Sequence, residues 1–280
     1  QKTFNFFEKY INNGKAISSY GICKSFKGKW NKKKWIYRIL LVVCLCVFGY
    51  SAYNLWDIYS QKQQVENETK QLEKNVIKKK DKEEKQVLDP DWSKLKAENE
   101  DIVAWIYVPD CDISFPVMQT KDNQFYLNHT VSKEYNDRGS IFLDANANGQ
   151  FQDDNSIIYG HSVEDGGMFT LLKKYCDEEF FETHPSFYLL TPDANYKCHV
   201  FTFAKTTEDS VFYTTSFGDY RQETLDSMQQ MSTYFNELDD IDANYVSLST
   251  CDLEYGFNSN HRFVLTGLMV KTSGDIVLKD

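Results

Sequence analysis

YVSLSTCDLEYGFNSNHR, residues 245–262, divides into three parts. An alternating apolar run, Tyr245, Val246 and Leu248, leads to Thr250 and Cys251. A polar, glycine-containing loop runs from Asp252 to His261, and Arg262 then opens a second apolar run, FVLTGLMV. Two alternating runs separated by turn-forming residues predict strand–loop–strand. A thiol then stands at the exit of one strand and a guanidinium at the start of the next, so that both can face one site. A thiol is a strong nucleophile as its thiolate, and a nearby cation favours that form.

The neighbouring sequence has the same character. Ile102–Val108 alternates and stops at Pro109, and Ile113–Met118 follows. Gly139–Leu143, Ser156–Tyr159, Ser186–Leu190, Tyr196–Ala204, Val246–Thr250 and Phe263–Val270 are short, β-branched or aromatic, and bounded by turn residues. About eight such strands in roughly 190 residues predict a mostly β domain, a closed barrel or a sandwich. Three flanking helices are expected. Pro90–Glu98 puts Trp92 and Leu95 on one face. Met168–Phe181 spaces Phe169, Leu172, Cys176 and Phe180 helically, and Arg221–Phe235 does so with Leu225, Met228, Met231 and Phe235. Cys176, on such a stripe, reads as core.

Ahead of this domain, Lys27, Lys29, Lys32, Lys33, Lys34 and Arg38 precede ILLVVCLCVFGYSAYNLW, and no residue from Ile39 to Trp56 is charged. Counted from Trp35, the segment is long enough for a bilayer core, which takes about 20 helical residues. Trp35, Tyr37, Tyr53 and Trp56 bracket it as interfacial aromatics do. Residues 35–56 are therefore expected to be a single transmembrane signal anchor. Residues 1–34 become a basic cytoplasmic tail, and the remainder lies outside. A cleaved signal peptide fits less well, because the run is long and no small-x-small site closes it. Residues 57–88 are nearly all polar, without Gly or Pro, and are expected to form a solvated helical stalk. Ile58, Val65 and Leu72 are spaced by seven, which is only a thin coiled-coil seam. All five prolines lie at or beyond Pro90, which places the folded domain at 89–280.

The net charge of −10 hides an asymmetry. Residues 1–38 hold ten Lys/Arg against one acid, Glu8, whereas the remainder holds 21 basic and 40 acidic residues. A basic end on an acidic body argues against nucleic acid as a partner, since phosphate binding needs a cationic working face. The seven cysteines form no CxxC pair and no Cys/His cluster of zinc-finger spacing. Their odd number leaves at least one free thiol, and pairing among Cys111, Cys176 and Cys198 stays open.

A catalytic thiol needs a proton partner. His129 lies in a polar loop, His184 precedes Pro185 at a helix end, His199 sits in a strand pattern, and His261 adjoins Arg262. His161 differs. It follows NSIIYG, residues 155–160, a strand ending in glycine, and so reaches a strand end, where barrel folds carry their sites. Spacing alone leaves it balanced between a catalytic and a structural role.

The order His161, Cys251, Arg262 is the reverse of papain-like hydrolases, which place Cys before His. The Ser-His-Gly-Cys of the cell-wall L,D-transpeptidases is absent. The chain instead resembles the class B sortases. Tyr159-Gly160-His161, then Leu248-Ser249-Thr250-Cys251, then Arg262 leading FVLTG fall in the family's order. The common form of the cysteine motif is TLSTC; here Ser247 replaces the first Thr and keeps a hydroxyl. IVAWI (102–106) resembles the family's first strand, DNQFYL (122–127) its DN-x-YYL segment, and GSIFLD (139–144) its strand of that sequence. Met168-Phe169 with Leu172 resembles its helix after the histidine.

The resemblance implies an eight-stranded sortase-type β-barrel and a cysteine transpeptidase of Gram-positive bacteria. Cys251 would attack a backbone carbonyl in a sorting motif near the C-terminus of a secreted protein, forming a thioacyl-enzyme. An amine of a cell-wall precursor or peptidoglycan cross-bridge would then take the acyl group. His161 becomes the acid and base, and Arg262 the oxyanion partner. Asn123, Leu127 and Ser249 become substrate contacts, with a groove wall within Lys205–Phe217. Asp252 and Glu254 either orient His161 or Arg262 or belong to a solvated loop. No cofactor and no metal is implied, and DANANGQFQDD (144–154) lacks the acidic spacing and terminal Glu of an EF-hand loop. Two other functions are open on the residues: a thiol protease that only hydrolyses, and a non-enzymatic surface-binding β domain.

Overall fold

Each alternating run of the C-terminal part forms a strand. The computed structural model describes residues 32–80, 85–238, 242–256 and 259–278. The strands are β1 (Ile77–Lys80), β2 (Lys85–Leu88), β3 (Ile102–Val108), β4 (Ile113–Met118), β5 (Ile141–Leu143) and β6 (Asn155–Tyr159). They continue as β7 (Ser186–Leu190), β8 (Asn195–Thr207), β9 (Tyr234–Phe235), β10 (Tyr245–Cys251), β11 (His261–Thr272) and β12 (Ile276–Val277). The α-helices are α1 (Lys32–Glu73), α2 (Trp92–Glu98), α3 (Glu178–Thr183) and α4 (Arg221–Met231).

Eight strands close a barrel in the order β11-β10-β6-β5-β4-β3-β7-β8, and β8 pairs back onto β11. Closure leaves no open sheet edge among them. The pairs β4–β5 and β6–β10 are parallel, and the other barrel neighbours are antiparallel. Successive strand residues point to opposite faces. Ile141, Leu143, Ile158, Val246, Leu248 and Leu265 fill the interior. The outer face of β10 and β11 carries Tyr245, Val264 and Leu268 beneath Phe212, Phe217, Leu225 and Met228. Each such fully buried side chain contributes about 1.5–3 kcal/mol of transfer free energy. At Gly267 the β8–β11 register shifts. A Cβ there would lie 2.6 Å from the Phe187 ring, so the glycine lets the bulge close onto it.

Two expected helices are shorter than their sequence pattern. Over 168–181 the chain makes a 3-10 helix, Thr170–Cys176, and then starts α3 afresh, because the Asp177 carboxylate accepts the Phe180 N–H (2.9 Å) as an N-cap. Of the expected stripe, Phe169 and Leu172 are buried, whereas Cys176 and Phe180 are half-buried against the core and Phe181 takes the buried place. α4 ends at Met231, and Tyr234–Phe235 instead pairs with β8.

The segment 57–88 departs from a solvated helical stalk. α1 ends at Glu73, and the chain folds back as the β1–β2 hairpin, which β12 extends. The cause is apolar burial: Leu72, Val76, Val87 and Leu88 are buried, and Val65 packs on the barrel core. The seven-residue spacing of Val65 and Leu72 therefore serves the domain itself, while Ile58 stays exposed. The chain divides into two units, Gln1–Asn54 and Leu55–Asp280. α1 is long and apolar enough to cross a membrane, and within the first unit its large apolar side chains from Trp35 to Tyr53 are exposed. The basic tail of residues 1–31 lies outside the described residues. Cys111, Cys176 and Cys198 are free thiols.

Candidate active site

Strand register assembles the site. In the antiparallel β10–β11 pair Cys251 lies directly across from Arg262. On the other side of β10, the parallel pairing sets Ser249 beside Tyr159, and the Gly160 N–H donates to the Ser249 carbonyl (3.1 Å). Two residues past this pair, His161 and Cys251 line the same cleft. Neighbouring strands are about 5 Å apart, so imidazole, thiol and guanidinium stem from adjacent strand ends. The alternation puts Phe142, Tyr159, His161, Ser249, Cys251 and Arg262 on the outer face, above a cleft of about 330 Å³ that all of them line. Asn123 and Leu127 line it from one side, Glu208 and Tyr213 from another.

His161 is held at both ends. Its carbonyl accepts the Phe169 N–H (3.0 Å), and its ring Nε2 lies 2.8 Å from the Leu127 carbonyl. A carbonyl only accepts, so Nε2 donates and Nδ1 carries no hydrogen bond among the described residues. Gly160 permits this placement, since a Cβ there would sit 2.4 Å from Ile141 and 2.7 Å from the Phe169 ring. Leu127 ends the 3-10 helix Phe125–Leu127, whose start is fixed by Asp122 accepting the N–H groups of Gln124 and Phe125.

Arg262 is committed in part. Nη1 donates to the Ser259 and His261 carbonyls (2.8 and 2.9 Å), and Nη2 donates to Glu208 (2.9 Å). A guanidinium has five N–H donors. Among the described residues, Nε–H and one Nη2–H of Arg262 are left over.

The other predicted contacts have structural bonds as well. The Asn123 side chain donates to Asp144 (2.8 Å) and accepts the Ala145 N–H (2.7 Å). Ser249 shares a hydrogen bond with the Tyr213 hydroxyl (2.7 Å), and the Tyr159 hydroxyl donates to Asp144 (3.2 Å). The Tyr159 and Tyr213 rings stack 6.5 Å apart, making an aromatic wall. Burial, then the Asp144 charge, pushes the Tyr159 phenol up. Burial pushes Tyr213 up to about 12. Both are thus neutral hydroxyls at physiological pH. Asp252 lies outside the cleft lining and accepts the Glu254 N–H (3.0 Å), starting a 3-10 turn, while Glu254 is exposed.

Sequence reasoning missed Tyr213, Glu208, Phe142 and Gln124 as individual cleft residues. Glu208 and Tyr213 lie within the segment assigned to the groove wall, where no motif marks one residue over another. Phe142 and Tyr159 could have been found from strand parity with His161. The remaining histidines are elsewhere: His129 stacks on Phe125, His184 bonds Asp110 (3.1 Å), His261 stacks on Tyr255, and burial lowers the pKa of His199.

Tyr213 holds its proton more tightly in the fold than at its ordinary value of 10.0. Its stabilising contribution is whole below pH 10 and is lost as pH rises through about 12. Tyr213→Phe should therefore flatten the alkaline loss of stability. Urea midpoints taken between about pH 9 and 11 should fall less in the variant than in the parent. Equal falls would show that Tyr213 titrates alike in the folded and unfolded chain.

Comparison with known proteins agrees with the fold. The sortase-domain family model matches residues 106–270. Sortase B of Listeria monocytogenes is 35% identical over 179 residues, 63% of this chain and 72% of that protein. Sortase B of Staphylococcus aureus is 30% identical over 242 residues, 85% of this chain and 97% of that protein. The crystal structure of sortase B from Bacillus anthracis superposes with a TM-score of 0.65 at 29% identity, covering 77% of this chain and all of that one. A substrate complex of Staphylococcus aureus sortase B gives a TM-score of 0.60 at 30% identity, covering 65% of this chain and 85% of that one. With its closed eight-stranded barrel and a thiol at the end of β10, the chain belongs to the sortase family, in its class B, and is a cysteine transpeptidase.

Proposed function

We propose that Cys251, His161 and Arg262 carry out the transfer, and that the chain does so as a membrane-anchored enzyme outside the cell. One observation supports this above others: all three side chains line a single cleft, with Cys251 directly across from Arg262 and His161 two residues beyond the strand paired with β10. Cys251 Sγ attacks a backbone carbonyl of the sorting motif, and its proton passes to His161. As the C–N bond breaks, His161 Nδ1 gives that proton to the leaving amine, and a thioester remains. An amine of the cell wall then attacks the thioester carbon. His161 takes the amine's proton and returns it to the departing sulfur. The two leftover N–H donors of Arg262 bind the oxyanion in both tetrahedral steps. Leu127 and the aromatic wall pack against the substrate chain. Asn123 and Ser249 shape the cleft through their bonds to Asp144 and Tyr213 and offer their remaining polar capacity to the peptide.

The experiment combines the purified protein, a peptide chosen from a sorting-motif library, and triglycine. Transfer product should form and should vanish in Cys251→Ala. Hydrolysis product alone, under every amine tried, would leave a thiol protease. Arg262→Lys keeps the charge but loses the forked donors. It should lower turnover about 100-fold, the order seen for losing one oxyanion donor. Near-parental turnover would reduce Arg262 to a point charge. The lysines before the apolar run support an inside N-terminus. Protease added outside intact cells should then release the catalytic domain, and a protected domain would reverse the orientation.

A further inference from the structure

The helix segment that precedes the barrel does more than join it to the span at 35–56. Both supports of His161 are themselves held by α1, within the unit Leu55–Asp280. The first support is the loop after His161. There the Lys62 ammonium donates to the Asp165 carbonyl (2.8 Å), and Arg138, a buried side chain, donates to the Gly166 carbonyl and to the Asp165 carboxylate. That loop returns to Phe169, whose N–H holds the His161 carbonyl. The second support is the segment after Leu127, whose carbonyl fixes the His161 ring. There Glu68 accepts from Thr130 Oγ1, Ser132 Oγ and the Ser132 N–H (3.1, 2.7 and 3.2 Å). This closes a turn in which Lys133 is forced to a positive φ of 64°. Fully buried Asn136 gives both its amide hydrogens to α1, to the Gln61 carbonyl (3.0 Å) and the Gln64 side chain (3.1 Å). Gln61 in turn accepts the Asp137 N–H (2.9 Å).

We propose that Gln61, Lys62 and Glu68 of α1 are positioning residues that brace His161 through its two flanking loops. None of the three lines the cleft or touches a reacting atom. Each acts on the backbone that sets the imidazole. A buried amide such as Asn136 cannot change partners cheaply, since leaving it unpaired costs about 1–3 kcal/mol. The α1 face and the histidine loops are therefore one mechanical piece. The proposal rests on the acid–base role given to His161 above.

The test uses the full chain in detergent, an internally quenched peptide chosen from a sorting-motif library, and 15N-labelled imidazole spectra. The combined variant Gln61→Ala, Lys62→Ala, Glu68→Ala should lower kcat about tenfold, as expected for a misplaced catalytic group. KM should stay within about twofold, because the cleft lining is untouched. The His161 Nε2–H signal should lose the shift of a carbonyl-bonded donor. Glu68→Gln keeps the acceptor for Thr130 and Ser132 Oγ and should lie nearer the parent. If the combined variant folds poorly, Lys62→Ala alone removes one exterior bond and should give a partial loss of kcat. Parental kcat or an unchanged His161 signal in a folded helix variant would overturn the brace. Parental turnover in His161→Ala would instead overturn the catalytic assignment. Loss in His161→Ala beside parental turnover in the helix variants would sink the brace alone.

Discussion

The pairing of β10 with β6 on one side and β11 on the other decides which side chains face the cleft, because strand side chains alternate with a period of two. A slip of one residue would turn Cys251 and Ser249 inward and Val246 and Leu248 outward. A buried polar layer pins the register. The Ser247 hydroxyl donates to Asn155 (2.9 Å) and also meets Thr266 (2.8 Å), and all three residues are fully buried. The Asn155 amide goes on to the Phe212 and Thr214 carbonyls, tying the segment with Tyr213 to the same layer. Shifting β10 would strand these groups without partners, at about 1–3 kcal/mol each. The polar layer thus contributes uniqueness of register, while the flanking apolar faces contribute most of the stability.

Above this layer, two side chains that line the cleft are held by backbone carbonyls. His161 donates to Leu127, and Arg262 donates to Ser259 and His261. Backbone acceptors belong to folded elements and reorient little, so the imidazole and guanidinium are set before substrate arrives. Such preorganisation is what makes hydrogen-bond donors effective at a developing charge. The aromatic wall adds a second restraint, since the neutral Tyr213 hydroxyl meets Ser249 on the same strand face as the thiol.

The barrel was legible wherever alternation and turn residues agreed. All eight barrel strands overlap their sequence runs, and the histidine, cysteine and arginine motifs fall at strand ends where the pattern put them. Legibility failed where local pattern and tertiary partner disagreed. IKKK and KQVL read as polar helix because lysine is a good helix former and neither Gly nor Pro intervenes; in the fold they pair with each other, and β2 gains a second partner, β12, nearly 190 residues away. Tyr234 and Phe235 continue the helical stripe of α4, yet β8 offers them a ladder partner. Met168–Phe181 keeps its apolar spacing but starts beside Gly166, Gly167 and Met168, all at positive φ, a poor helix start. Glu208 and Tyr213 reach the cleft through a loop whose path no periodicity encodes.

The Glu208 pairing bears on the role proposed for Arg262. A cation beside a thiol can hold it as thiolate through charge, or can wait as a directed donor for an oxyanion. Glu208 places a carboxylate on the guanidinium, which reduces the net positive field at Cys251. The pair is partly exposed, and solvent screens it further. The charge that the guanidinium presents to the cleft is weakened by both effects. Direction is not: three of the five N–H groups of Arg262 are tied down, so the plane of the fork is set and the remaining two keep a defined aim. A site that needed Arg262 as a bare charge would gain nothing from Glu208. A site that needs it as an oriented fork gains a third anchor.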